Sequence, residues 1–179
     1  MKQKSLWTSV AAILLTAAVF FGASKGLSSL ESKYAQQEQD IMMHNLLPGS
    51  QTFAQEAYDG EDANISAVYK AENGFVIETK TAGYAGDITM MVGVSNEGAV
   101  TGLVVRDMSE TYGLGAQALT DVEFLSQFLN TSGEAEVGSS VDAISGATVT
   151  SKAIARSVNS AVAYVTGADA SSGATSWGG

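Results

Sequence analysis

The stretch DITMMVGVSNEGAVTGLVVRD, residues 87–107, reads as two strands folded back on one another. Asp87–Ser95 and Ala99–Asp107 are rich in Val, Ile, Thr and Met, and they flank the short polar connection Asn96-Glu97-Gly98. Strand formers on both sides of such a connection predict a β-hairpin. The same grammar occurs upstream, where Ile65–Ala71 and Phe75–Lys80 flank Glu72-Asn73-Gly74. Tyr84-Ala85-Gly86 joins the two hairpins, so a twisted antiparallel sheet is expected. Met90 and Met91 fall on opposite faces of their strand, both as core packing.

Helical signals follow the strands. In Val149–Val165, Ile154, Val158, Ala161, Val162 and Val165 repeat at helical spacing, and Gly167 supplies a stop. Ala116–Leu129 carries Leu119, Val122, Phe124, Leu125, Phe128 and Leu129 at spacings that suit a short amphipathic helix. Thr131–Ser140 is rich in Gly, Ser and Glu and reads as a loop. The expected class is α+β: one domain, residues 51–167, with a twisted antiparallel sheet packed with helices. Residues 168–179 are small and polar and read as a flexible tail.

Upstream of that domain, Lys4 and Lys25 bracket 20 uncharged residues. As a helix this run measures about 30 Å, the thickness of a bilayer's hydrocarbon core. Residues 5–25 are therefore expected to be a transmembrane anchor following a cytoplasmic N-terminus, residues 1–4. Lys2 and Lys4 favour an inside N-terminus and an extracytoplasmic domain. The competing reading is a cleaved signal peptide ending near Phe21-Gly22-Ala23, although Phe21 is large for a cleavage site. Leu27–Leu47 reads as a polar helix ended by Pro48-Gly49. Residues 26–50 are thus either a stalk or the first helix of the domain.

Composition excludes several chemistries. The 179 residues contain no cysteine, which removes disulfides, thiolate zinc sites and cysteine-ligated iron–sulfur clusters. His44 is the only histidine, so neither a multi-histidine metal site nor a Ser-His-Asp triad is expected, and no metal site is assigned. His44 itself reads as a solvated surface residue. All 19 acids follow residue 30 and meet six bases there, leaving that stretch at −13. Such a surface repels nucleic acid. Redox chemistry would need an organic cofactor or another subunit.

Two motifs remain. Asp142-Ala143-Ile144-Ser145-Gly146-Ala147-Thr148 lies just before the clearest helix. Gly146 and Ala147 leave backbone N–H groups open to a phosphate, and the following helix aims its free N–H groups and positive dipole end at the same place. Thr148 offers a hydroxyl there, and Thr150 and Ser151 add donors. Asp142 would help a modifying enzyme by binding a metal or orienting the hydroxyl. The alternative is a Ser/Thr cap on an amphipathic helix. The second motif, Glu110-Thr111-Tyr112-Gly113-Leu114-Gly115, directly follows the last strand. Its two glycines around Leu114 suit a loop pressed against a flat ring system, or an ordinary strand-to-helix turn.

Together these motifs resemble the FMN-binding domain family: the G subunit of the Rnf electron-transport complex and the C subunit of the sodium-pumping NADH:quinone reductase. The N-terminal anchor, Leu46-Leu47-Pro48-Gly49 and Gly83-Tyr84-Ala85-Gly86 fit the same family. The resemblance implies FMN covalently attached through a phosphoester to Thr148, the threonine closing Ser-Gly-Ala-Thr. Backbone groups around Ser145, Gly146, Ala147 and Thr150 would hold the phosphate. Glu110, Thr111, Gly113, Leu114 and Gly115 would line the flavin. It also implies a flavin transferase that uses FAD and magnesium outside the cytoplasm, with Asp142 in its recognition. Partner subunits of an Rnf-type complex in the cytoplasmic (inner) membrane would include a membrane flavoprotein and an iron–sulfur protein. Tyr112 departs from the family loop, which has proline there. A second Ser-Gly-Ala-Thr, ending at Thr175, has no periodic helix after it.

The expected function is a membrane-anchored electron carrier in a redox-driven ion-translocating complex, not an independent catalyst. Two alternatives stay open: a stand-alone extracytoplasmic flavoprotein, and a membrane-tethered binding module in which Ser-Gly-Ala-Thr is only a helix cap.

Overall fold

The computed structural model describes residues 33–108 and 120–168. The expected anchor at 5–25, the loop Glu110–Gly115 and the tail from residue 169 lie outside the described residues. Among the described residues no helix is long and apolar enough to cross a membrane.

The chain divides into two compact units, Met1–Ile41 and Met42–Gly179. Residues 33–46 are helical (α1). Within the first unit, the described part of this helix is almost entirely exposed.

The second unit is built on five strands: β1 (Ala54–Glu56), β2 (Ile65–Ala71), β3 (Gly74–Ala82), β4 (Asp87–Ser95) and β5 (Val100–Met108). They pair antiparallel in simple sequential order. The four strands expected from the sequence are present, and β2 and β4 have the expected ends. β1 is an addition. Its Ala-Gln-Glu has no apolar alternation, because it is an edge strand paired only to β2.

Side chains alternate between two cores, as a pleated strand requires. Along β4, Ile88, Met90, Val92 and Val94 face one core, and Met91 faces the other. The two methionines thus divide as expected. The larger core is closed by α2 (Val122–Ser126), the turn after it and α3 (Thr148–Thr166), through Phe124, Phe128, Ala153, Ile154, Val158, Ala161 and Val162.

The smaller core is closed by Met43, Leu46 and Leu47, which lie over Val76 and Met91. Paired glycines make this possible: Gly93 opposes Gly102 across β4 and β5. A Cβ at Gly93 would stand 2.2 Å from the Leu46 carbonyl oxygen, and one at Gly102 would stand 3.0 Å from the Leu46 Cα. The bare sheet therefore receives the Leu46 backbone directly. Thr101 Oγ1 donates to the Leu46 oxygen at 2.6 Å. The β2–β3 turn holds the next residues, with Asn73 Nδ2 donating to the Pro48 oxygen at 2.9 Å and Gln51 N donating to Glu72 Oε1 at 2.6 Å. His44 is half-buried, not solvated, with its ring edge-on to Phe53 at 5.1 Å between centroids.

The helix expected over Ala116–Leu129 is shorter within the described residues. Asp121 caps α2, its carboxylate accepting from Phe124 N at 3.0 Å, which fixes the start at Val122. Tighter i→i+3 bonds then follow, from Gln127, Phe128 and Leu129, and Asn130 takes a positive φ of 62°. Thr131–Ser140 is irregular, as expected. α3 overruns its expected bounds by one residue at each end and stops at Gly167, whose φ of 70° is left-handed.

Candidate functional site

α3 is positioned by packing first. Burying a Val or Ile side chain stabilises by about 1.5–3 kcal/mol, against about 1 kcal/mol for a typical hydrogen bond. Ile154 and Val158 are fully buried against the sheet. Polar contacts then set the register. Thr81 Oγ1 lies 3.2 Å from the Ala153 oxygen and 2.9 Å from Ser157 Oγ. Asn64 Nδ2 donates to Ser160 Oγ at 3.2 Å, and Arg156 Nη2 donates to the Ala82 oxygen at 2.9 Å. At the other end, Thr166 meets the turn at Gly98, and Tyr164 stacks edge-on to Phe75.

These contacts give α3 a direction. It runs antiparallel to β3 and β5, and its start lies toward the sheet end where β3 stops, β4 begins and β5 stops. At that end Thr81 pairs with Ile88, and Ile88 pairs with Met108. The chain therefore leaves β5 at the end of the sheet that α3 begins on. Glu110, Thr111, Gly113, Leu114 and Gly115 follow in the sequence and lie outside the described residues.

The approach to α3 is a built turn. Ala147 N donates to the Ile144 oxygen at 2.9 Å, with Gly146 between them at φ 81°. A positive φ at the third residue of such a turn favours glycine. Ser151 locks it: its hydroxyl donates to the Ala147 oxygen at 2.9 Å and accepts from Ile144 N at 3.3 Å. Ser151 is thus committed to the turn and is not a free donor for a ligand. Asp142 is exposed, and its N–H donates to Gln127 Oε1 at 2.8 Å.

The helix N-terminus itself is left open. Its cap is Ala147, which makes no side-chain cap hydrogen bond. Neither Ser145 nor Thr148 caps it, so the cap reading of the motif does not hold. Thr148 is the first helical residue and is exposed, as are Ser145 and Gly146. Ala147 and the Thr150 side chain are buried. Among the described residues no group accepts from the N–H of Thr148, Val149 or Thr150. No acid stands in the first turn, although the chain carries −10 overall. A helix N-terminus is equivalent to about +0.5 of an elementary charge. Among the described residues that charge has no side-chain cap and no acid in the helix's first turn, and the Thr148 side chain stands beside it. These residues fit a phosphate monoanion joined at Thr148.

Known proteins resemble this chain over the same region. The family model of the FMN-binding domain matches residues 83–163, from the β3–β4 turn into α3. The G subunit of the ion-translocating oxidoreductase complex of Methanosarcina acetivorans is 38% identical over 113 residues, covering 60% of this chain and 57% of that protein. The G subunit of the Na(+)-translocating ferredoxin:NAD(+) oxidoreductase complex of Acetobacterium woodii is 34% identical over 98 residues, covering 50% and 47%. The G subunit of the proton-translocating ferredoxin:NAD(+) oxidoreductase complex of Clostridium ljungdahlii is 34% identical over 110 residues, covering 55% and 59%. The chain spans about half the length of the curated relatives it matches. Residues 83–163 are accordingly a domain of the FMN-binding family, in a chain that resembles the G subunits of ion-translocating oxidoreductase complexes.

Proposed function

We propose that this chain is a membrane-anchored electron carrier, one subunit of an Rnf-type ion-translocating electron-transport complex, with FMN joined through its phosphate to Thr148. The observation that carries the reading is the exposed Thr148 hydroxyl at an uncapped, acid-free helix start. The family match and the names of the relatives support the cofactor and the setting.

The chain's own residues do three things in this account. Gly146 and Ser151 hold the turn that presents Thr148. A flavin transferase then brings FAD, and Thr148 Oγ1 attacks the phosphorus nearest the flavin. An O–P bond forms, AMP leaves with the electrons of the broken P–O bond, and the hydroxyl proton passes to the enzyme or solvent. Asp142 assists in that reaction. The N–H groups of Thr148, Val149 and Thr150 would hold the phosphate, and residues Glu110 to Gly115 would line the flavin. When bound, FMN supplies one- and two-electron transfer between partner subunits. A covalent tether suits an extracytoplasmic site, where a free cofactor would be lost by dilution. Residues 5–25 anchor the domain to the cytoplasmic membrane, with the N-terminus inside.

Intact mass and in-gel fluorescence test the attachment. A chain made with its transferase should gain the mass of one FMN less water and fluoresce after denaturation, and Thr148→Val should do neither. Fluorescence that survives Thr148→Val but not Thr175→Val would move the attachment to the tail. Co-purification with integral membrane subunits tests the complex.

A further inference from the structure

α3 shows little of itself to solvent beyond its start. Among the described residues Thr150 to Val165, only Lys152 is exposed. Arg156, Asn159 and residues 163–165 are half-buried, and the others are buried. Thr148 and Lys152 are four apart and both exposed, so they are neighbours on one face, with Cβ atoms about 5–6 Å apart. The direction of the side chains brings them closer. Cα–Cβ bonds of a helix tilt toward its N-terminus, and a long side chain covers the turn before its own Cα. Lys152 therefore stands over the turn that Thr148 opens.

Charge singles out the same residue. The described part of the second unit holds five bases. Three are ion-paired: Lys70 with Glu56 at 3.4 Å, Lys80 with Asp87 at 3.1 Å and Arg106 with Glu78 at 3.0 Å. Arg156 donates to the Ala82 oxygen and stands about 12 Å along the helix from Thr148, two turns away. Among the described residues no acid pairs with Lys152, and α3 itself contains none.

From this placement we infer that Lys152 is a phosphate-binding residue: its ammonium pairs with the phosphodiester that joins FMN to Thr148. This rests on the proposed function, since it requires a phosphate at Thr148. The helix N–H groups meet that anion along the axis with a charge equivalent to about +0.5. Lys152 meets it from the side with a full charge. A negative group four residues before a lysine is also the favourable order on a helix. The pair offsets the repulsion that a phosphate meets on a domain where acids outnumber bases.

The test is a thermodynamic cycle, with Lys152 native or Gln and Thr148 flavinylated or bare. The loaded and bare forms of each chain are separated, and peptide mass fixes the position of the flavin. Melting temperatures are read at low salt and at about 1 M salt, where the screening length is about 3 Å. At low salt Lys152→Gln should cost the flavinylated chain roughly 1–4 °C. The bare chain should be unchanged or slightly more stable, because a cation near a helix N-terminus is unfavourable. High salt should erase the loss, Lys152→Arg should avoid it, and Lys152→Glu should deepen it. An equal loss in loaded and bare chains, or one that salt leaves untouched, would overturn the inference and leave the attachment intact. A native chain without flavin at Thr148 would overturn the attachment and this pair with it.

Discussion

The turn that presents Thr148 has a conformational demand that one substitution isolates. Gly146 sits at φ 81° within a turn closed by Ala147 N to the Ile144 oxygen. Gly146→Ala adds a Cβ to a backbone in the left-handed region, which costs roughly 1–2 kcal/mol. If the turn stays closed, the whole cost falls on stability, and a domain of this size should lose about 4–8 °C in melting temperature. If instead the turn opens, stability is spared, and the balance between closed and open turn shifts by about 5- to 30-fold. Flavin incorporation should then slow, because Thr148 is no longer held at the helix start. Gly146→Asn separates strain from lost space, since asparagine tolerates positive φ and is bulkier than alanine. The expected order of both melting temperature and incorporation rate is Gly, then Asn, then Ala. Thermal melts by circular dichroism and a timed flavinylation assay read the two effects. An alanine variant that melts within about a degree of the native chain and takes up flavin at the native rate would refute the reasoning. So would an asparagine variant worse than alanine.

Other consequences are testable on the same preparations. Gly93→Ala places a methyl against the Leu46 carbonyl, and overpacking of this kind costs about 1–3 kcal/mol. Its loss in chemical denaturation should be less than additive with Leu47→Ala, because both loosen one segment. Thr81→Val leaves Ser157 Oγ without its buried partner and should destabilise by about 1–3 kcal/mol, a shift in urea midpoint without a change in slope. Glu72 has its carboxyl held below the usual value of 4.5, by its own backbone N–H and then by Gln51 N. A lowered folded value means stability that is present above pH 4.5 and lost as pH falls through the lower folded value. Glu72→Gln should therefore lower the melting temperature slightly at neutral pH and leave the acid end little changed, which flattens the acid limb of the profile.

What is legible in the sequence depends on how local the cause is. β2 and β4 end where turn residues stop them, so Glu72-Asn73-Gly74 and Asn96-Glu97-Gly98 mark their limits. β1 exists because Lys70, Tyr69 and Val68 offer it a partner, and nothing within Ala54–Glu56 announces that. Apolar spacing overestimates α2 because it continues past the helix end, whereas Asp121 as cap and the i→i+3 bonds decide its extent. Asp121 is a usable signal, as a capping residue three before Phe124. Gly93 and Gly102 are another. Glycine inside a strand pattern marks close backbone approach, and here Leu46 makes that approach. At the site, a helix start beside Thr148 is legible from periodicity and small residues. That Ala147 is the cap and that Ser151 is consumed by the turn depend on individual hydrogen bonds within the Ile144–Ser151 segment, which periodicity does not carry.

The central claim is a covalent one, and weighing the chain decides it. Purified from its native host and denatured, the polypeptide should carry one FMN less water beyond its amino acids, with the extra mass on the peptide containing Thr148. An unmodified Thr148 peptide at full occupancy, from a chain of unadorned mass, would contradict the account.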